Sequence, residues 1–514
     1  MVSLGAYALS AAALVIVFIV SGRGRRRALP LPPSPTSLPF IGNYLSLPTK
    51  LPWVTYANWC KTFQSDMISI NVFGESTVIV DSKKAAKELF ERRSAKYSDR
   101  PPHAILELTG WDFNTAFIPY SDKWRARRRL LHETLHSIAA LAYRPLQRTK
   151  VHEMLGRLHS DPDDFVSHVY SLAASIAMSV SYGDIADKGQ SNKFLNIAQE
   201  ANETLWIIAL PGAFVVNTFP FLQHLPSWLP GMGFKSLAQQ CRRLITDMRN
   251  VPWAFVKQGM VDNPASPSMA SKLMNNLEQT EDEDDAVQAA KDVCAVTYTA
   301  GTDTTVSAML SSILGLLLHP DVQDRAHQEI DSMIGRHRLP TYEDRSKLPY
   351  VEAIYREVLR WHPVLPLSVT RAVFEDDIYE GYFIPKGTYI LANSMTRDTA
   401  DYPEPESFKP ERFLMPDGTL NDDNMQIAFG LGRRVCVGQH LADSTAWMMI
   451  VSVLAVFRLI PAKDEDGNDI TAKVEYTSGL ISHPLPFKCV FEPRNKEAEI
   501  LLAQLRDPET ANQL

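Results

Sequence analysis

Cysteine is scarce in this chain of 514 residues, and positive charge is not in surplus. The five cysteines, Cys60, Cys241, Cys294, Cys436 and Cys489, are odd in number and far apart. That spacing excludes a disulfide-stapled scaffold and fits a reducing compartment. Lysine and arginine total 52 against 59 aspartate and glutamate, a formal charge of −7, so nothing points to a nucleic-acid partner. Internal repeats and low-complexity tracts are absent. A proline-rich linker occurs once, as LPLPPSPTSLPFIGN at residues 29–43. No second linker follows Phe40, so residues 40–514 read as one domain, although length alone suggests roughly three at ~150 residues each. The acidic run 281–285 is the one strong charge block, expected in a solvated loop before a helix.

Residues 2–20 carry no charge, and 11–20 are apolar throughout. Nineteen residues at 1.5 Å each span ~28 Å, close to the hydrocarbon thickness of a bilayer. Arg23, Arg25, Arg26 and Arg27 follow at once, which predicts a lumenal N-terminus and a cytosolic body. A cleaved secretory signal would carry its charges before the apolar stretch. The expected organisation is a membrane anchor at 1–22, a basic and proline-rich hinge at 23–39, and a globular domain at 40–514. The sequon Asn202-Glu203-Thr204 would then face the cytosol, away from glycosylation.

The body reads as mainly helical. Alternation over 67–80 around Gly74 predicts a hairpin. Helical periodicity marks 82–93, 123–138, 165–180, 235–257, 286–318, 319–334, 351–361 and 441–457. Residues 371–391, with Gly381, Pro385 and Gly387, read as short strands. The fold class is therefore mainly α with a minor β-sheet subdomain. Residues 205–229 are strongly apolar but broken at Pro211, Pro220 and Pro226, too interrupted for a second span.

Four short strings carry chemistry. The first is FGLGRRVCVG at 429–438, with three glycines in ten residues around one cysteine. Glycine lets the backbone approach a flat ligand. Arg433 and Arg434 are expected to favour the thiolate of Cys436, the form that binds metal, and loop amides can tune the sulfur. Read alone, the loop is equally a phosphate-binding turn with an incidental thiol. The second, Ala300-Gly301-Thr302-Asp303-Thr304-Thr305, sits inside the long apolar helix and is expected to interrupt it, because threonines bond back to preceding carbonyls. Its bland alternative is a helix boundary capped by Thr302 or Asp303. The third pairs Glu357-Val358-Leu359-Arg360 with Pro410-Glu411-Arg412-Phe413; a Glu and Arg three apart share a helix face and are usually a surface ion pair. The fourth is Trp124-Arg125-Ala126-Arg127-Arg128-Arg129, a basic helix face that is either merely solvated or attractive to an acidic partner.

Taken together and in this order, the strings resemble the cytochrome P-450 family over nearly the whole chain, from Met1 to about Cys489. Phe429, Gly432, Arg434, Cys436 and Gly438 match its haem-ligand signature. The resemblance implies a haem b held between a long distal helix and the loop of Cys436, the proximal iron ligand. It implies that Phe429 packs against that loop and that Arg434, Trp124, Arg128 and Arg371 contact haem propionates. Ala300 and Gly301 would leave room for substrate and dioxygen, while Asp303 and Thr304 would relay protons from solvent. Glu357, Arg360 and Arg412 would form a structural network behind the haem. Residues 101–120, 364–369 and 478–481 would wall the distal pocket, and 205–229 would be either core or a membrane-facing access region. Ser34 departs from the glycine more usual in such hinges, and the resemblance assigns His132 no role.

The function so implied is a monooxygenase inserting one oxygen atom from dioxygen into a lipophilic small molecule. The style of hinge and of the RWHPVLPL run resembles fungal microsomal members, many of which tailor terpenoid or polyketide secondary metabolites. Expected partners are an NADPH-dependent flavoprotein reductase and, as an auxiliary donor, cytochrome b5, with single-pass anchoring in the endoplasmic reticulum membrane. The alternatives are a haem-thiolate isomerase or dehydratase that uses no dioxygen, and a non-catalytic membrane haem protein. The intact Asp303-Thr304 pair argues against the first.

Overall fold

The computed structural model describes residues 29–184, 188–208, 214–262, 268–277, 283–393, 398–399 and 401–505. The expected anchor 1–22, the hinge arginines 23–27 and Pro211 lie outside the described residues.

The helices that position the site are α1 (Asp122–Leu135), α2 (Arg144–Ser160), α3 (Phe165–Tyr182), α4 (Phe234–Asp262), α5 (Glu283–Leu318), α6 (Pro320–Met333), α7 (Pro349–Trp361) and α8 (Gln439–Val456). The body is built around α5, which packs against α1, α3, α4, α7 and α8. The segment Asp284–Leu318 is long and apolar enough to cross a membrane, but 78% of its most apolar window is buried inside the protein. Its apolar surface belongs to the core.

Contrary to the sequence expectation, α5 is not interrupted at 300–305. Thr302, Thr304 and Thr305 each donate to the carbonyl four residues back, at 2.7–2.8 Å, within an unbroken helix. The hydroxyls share carbonyls that the ladder already uses, so the hydrogen bonding is supplemented rather than opened. The acidic run also departs from expectation: Glu283 opens α5, so the run enters the helix. Anions there favour the positive end of the helix dipole. The first basic helix ends at Leu135, where His136 turns to extended backbone (φ −65°, ψ 166°), so the expected helix 123–138 is split in two. Residues 101–120, read as irregular, contain the helix Ala104–Thr109. α2 and the pair of late strands below were not foreseen.

Strands β1 (Met67–Val72) and β2 (Glu75–Val80) form the expected hairpin, with Met67 opposite Val80. The short strands are β3 (Arg371–Ala372), β4 (Asp377–Tyr379), β5 (Tyr382–Ile384) and β6 (Tyr389–Ala392). The main sheet runs β1-β2-β6-β3, with β6 parallel to β2. Its period of two sends Ile68, Ile70 and Ile79 into one apolar cluster and Met67, Val78 and Val80 into another, so both faces are covered. β7 (Phe457–Ile460) and β8 (Val490–Pro493) pair beyond α8.

A buried charge pair braces the helices over the site. Arg127 on α1 is 1% exposed and its Nε donates to Asp292 Oδ2 at 2.8 Å. Arg249 of α4 also pairs with Asp292 on α5. At 100° per residue, Arg127 falls on the inner face of α1, so the four arginines there do not form one solvated basic face. Cys60, Cys241, Cys294 and Cys489 are free and buried, and burial pushes the Cys489 thiol up to about 12. They are small core residues.

Two predictions follow from this packing. Asp292→Asn leaves Arg127 buried beside a neutral amide and is expected to lower stability by ~3–5 kcal/mol, read from the denaturant midpoint. His152 and His327 are buried, and that burial lowers each to about 4, with Arg148 and Arg494 adding repulsion. Below an ordinary histidine value of ~6.5 the unfolded chain takes protons that these native rings refuse, so stability falls as pH falls. The expected loss between pH 7.5 and 5 is ~2 kcal/mol per ring, and His327→Gln should flatten the acid limb of a stability–pH curve.

Candidate active site

The loop before α8 is set by glycine and by its own amides. Gly430 and Gly432 have φ of +83° and +62°. A Cβ on Gly432 would lie 1.9 Å from the Phe90 carbonyl oxygen, so no other residue fits there. Cys436 N–H donates to the Phe429 carbonyl at 2.8 Å, and Phe429 packs against the main core. Gly438 caps α8.

Cys436 is exposed although protein surrounds it on every side, which means its sulfur looks into internal space. Burial raises its thiol. The N–H group of Gly438, the Arg128 guanidinium and the N–H group of Gln439 offset only part of that rise. This corrects the expectation for Arg433 and Arg434. Arg433 lies on Tyr120, donating to its hydroxyl at 3.0 Å. Arg434 is turned toward the carbonyls of Ser98 (2.8 Å), Thr115 (3.4 Å) and Ile118 (2.9 Å). The cation that acts on the sulfur is Arg128, from α1.

A second opening lies on α5. Between Asp292 and Leu317 every residue is buried except Ala300, Gly301, Thr304 and Ala308. Their spacing places them on one helix face. Within this stripe a Cβ on Gly301 would stand 3.5 Å from Ala177 Cβ of α3, an ordinary van der Waals distance. Asp303 is 5% exposed and lies beside the stripe, its Oδ1 3.3 Å from His483 Nε2.

Three guanidiniums converge near the loop, those of Arg100 and Arg371 buried and that of Arg434 half-buried. Arg371 donates to the carbonyls of Tyr97 and Leu431, and its cation lies 4.5 Å from the Phe90 ring. Arg434 sits 4.3 Å over Trp124. Arg100, which sequence reasoning missed, donates to the carbonyls of Ala116, Val369 and Thr370, each at 2.6 Å. Among the described residues no carboxylate bonds to any of the three. Burial, with repulsion from Arg434, lowers Arg371 to about 9; burial, with repulsion from Arg128, lowers Arg434 to about 10; and burial, with repulsion from Arg434 and Arg371, lowers Arg100 well below its usual range. Asp99 offsets part of this for Arg100 and Arg434. The buried Trp124 Nε1–H and Thr115 hydroxyl have no hydrogen-bond partner. A set of cations and donors to which no carboxylate bonds among the described residues fits a ligand that brings its own carboxylates. The haem propionates are such carboxylates, so these residues fit the group.

Behind the loop, Glu357 and Arg360 are both 0% exposed and joined at 2.6 and 2.8 Å. Arg412 reaches Glu357 at 3.2 Å. The structure thus brings together three residues drawn from two separate strings.

The Cytochrome P450 family model matches residues 32–491. The chain belongs to the cytochrome P450 family. It is 36% identical over 501 residues to Cytochrome P450 monooxygenase 98 of Postia placenta, covering 96% of each chain. It is 39% identical over 476 residues to Cytochrome P450 monooxygenase ple1 of Rhodocybe pseudopiperita, covering 91% of this chain and 90% of the relative. It is 34% identical over 489 residues to Tryptamine 4-monooxygenase of Psilocybe cyanescens, covering 94% and 96%. This cytochrome P450 is therefore a monooxygenase, an oxidoreductase with a haem-thiolate iron, fed by redox partners and dioxygen. Bound there, the iron supplies the activation of dioxygen, which no side chain of the chain provides.

Gly432→Ala combines a left-handed residue (~1–2 kcal/mol) with overpacking against backbone (~1–3 kcal/mol) in the ligand loop alone. The expected result is a fall in haem content of at least about tenfold at those energies, with far-ultraviolet circular dichroism retained.

Proposed function

We propose that this cytochrome P450 inserts one oxygen atom from dioxygen into a lipophilic small molecule, a fungal secondary metabolite of the terpenoid or polyketide kind. The observation that carries this reading is the open stripe of α5, small and uncharged, on which Thr304 is the only polar side chain. Val364, Val369, Leu480 and Ile481 are apolar and incompletely buried, which suits walls for an apolar guest.

In this reading haem b would be held between the Cys436 loop and the stripe, with the Cys436 thiolate binding its iron. Arg371, Arg434, Arg128, Trp124 and the newly recognised Arg100 hold its propionates. Ala300 keeps space clear above it. Thr304 already donates its hydroxyl proton to the Ala300 carbonyl at 2.7 Å, so only its lone pairs face the opening. It accepts a hydrogen bond from water and thereby orients that water. Asp303, with a second oxygen that accepts no hydrogen bond, holds the next proton. Glu357, Arg360 and Arg412 keep the ligand loop in place and touch no reactant.

Electrons come from an NADPH-dependent flavoprotein reductase, with cytochrome b5 as an auxiliary donor. The enzyme is anchored in the endoplasmic reticulum membrane by residues 1–22. Support for a membrane-facing side comes from a chain of aromatic rings: Tyr44 to Phe73 at 5.2 Å, Phe73 to Phe219 at 6.0 Å, and Phe219 to Phe221 at 6.2 Å. All four are exposed, as is Trp228 at 78%. Aromatic rings of this kind favour the bilayer interface.

The decisive experiment uses the reduced protein with carbon monoxide and then NADPH, reductase and a lipophilic terpenoid panel. The far-shifted Soret band of thiolate ligation is expected, and its survival in Cys436→His would sink the ligand assignment. Thr304→Ala should keep consuming NADPH while product per NADPH drops by ~10-fold or more, since positioned proton transfer is worth ~10²–10⁴. Turnover under strict anaerobiosis would establish the isomerase or dehydratase reading instead.

A further inference from the structure

His483 belongs to no motif, yet it reaches Asp303, the acid beside the open stripe of α5. It lies in a hairpin closed by the bridge between Tyr476 and Pro484, 180 positions along the chain from Asp303 (483 − 303). The hairpin is clamped onto α5 itself. Ser307 Oγ donates to the Ser482 carbonyl at 2.5 Å, and the Tyr476 hydroxyl donates to Ser311 Oγ at 3.1 Å. Ser307 and Ser311 follow Asp303 at successive helical turns, so one helix face fixes both the acid and the hairpin. His483 N–H donates to Thr477 Oγ1 at 3.0 Å, and Ser482 N–H to the Val364 carbonyl at 2.9 Å. The imidazole is thus held by backbone on both sides, with Nε2 3.3 Å from Asp303 Oδ1. Its side chain keeps 17% of its surface accessible, against 7% for Asp303.

The other titratable groups at this point do not replace it. Tyr170 of α3 faces Asp303, but burial, then the charges of Asp303 and Glu203, push its phenol up to about 12, so it keeps its proton at neutral pH. Glu203 acts on Tyr170 from the helix Lys188–Ile208 and is exposed. Histidine is the side chain that gains and loses a proton near neutrality.

We propose that His483 is the group that returns protons to Asp303, as the outer member of the route that serves Thr304. The imidazolium gives the proton on Nε2 to Asp303 Oδ1. The carboxyl group releases a proton from Oδ2 toward the water held by Thr304, and the imidazole regains one from solvent. One proton enters and one leaves, with no change of oxidation state. The inference rests on the monooxygenase reading above.

The test compares wild type, His483→Gln, Asp303→Asn and the double variant as full-length, haem-loaded enzyme. The first readout is a double-mutant cycle on thermal unfolding at pH 5.5 and pH 8.5. A pairing energy between the two side chains is expected, larger at pH 5.5 than at pH 8.5, since charge on an imidazole in general grows as pH falls. The second is product per NADPH across pH 6–8.5. Wild type should hold its ratio, whereas His483→Gln should lose ~10-fold by the alkaline end, and added imidazole should restore His483→Ala. Pairing energy without any change in coupling would show a structural counter-ion and overturn the relay. A wild type that makes no oxygenated product removes the relay together with the functional reading. Unchanged coupling in His483→Gln beside a productive wild type removes the relay alone.

Discussion

A carboxylate with no contact with water, Glu357, fixes the geometry on which the site depends. It is shared by Arg360, Arg412 and the Lys409 N–H, the last at 2.7 Å. Arg360 continues to the carbonyls of Pro405 and Ser407, and Trp361 Nε1–H to that of Glu406. The C-terminal end of α7 is thereby tied to the irregular stretch that leads into the ligand loop. An ion network this deep adds little net stability over an apolar core, because desolvation cancels most of the attraction. Its value is directional: removing any partner leaves a bare charge, so the chain has one arrangement there and the loop of Cys436 has one starting point.

Local strings were legible because their chemistry is local. The glycine pattern around Cys436, the acid and threonine of α5, and the Glu/Arg spacing of α7 each lie within ten residues, and the structure brings the last together with Arg412. The hairpin of β1 and β2 followed from strict alternation around Gly74. What sequence reasoning misjudged were competitions settled in three dimensions. The threonines of α5 were expected to break the helix, yet a helix buried along most of its length is held by packing, and the back-bonds cost it nothing visible. Arg433 and Arg434 stand nearest Cys436 in sequence, but neighbours along a loop point apart, and Arg128 from another helix takes their place.

Pairs assembled across long separations carry no sequence signal at all. Arg127 and Asp292 lie on different helices, and Asp303 meets His483 only because two serines of α5 hold the hairpin down. Arg100 sits in Asp99-Arg100-Pro101, a string that reads as an ordinary turn. The same hairpin carries Leu480 and Ile481, which the proposed function makes walls of the pocket. In that reading pocket shape and the acid beside Thr304 are parts of one clamped unit.

The guanidiniums of Arg100, Arg371 and Arg434 have a consequence for how the protein comes to exist in a cell. A chain that gathers three guanidiniums here, with Asp99 offsetting only part of their charge and no carboxylate bonded to them among the described residues, keeps a surplus of positive charge at this corner. In the function proposed above the missing carboxylates come with the prosthetic group, so a ligand that binds the folded chain alone also stabilises it. Cofactor capture and the closing of this corner are then one coupled step, and the chain without its cofactor is the looser of the two forms there.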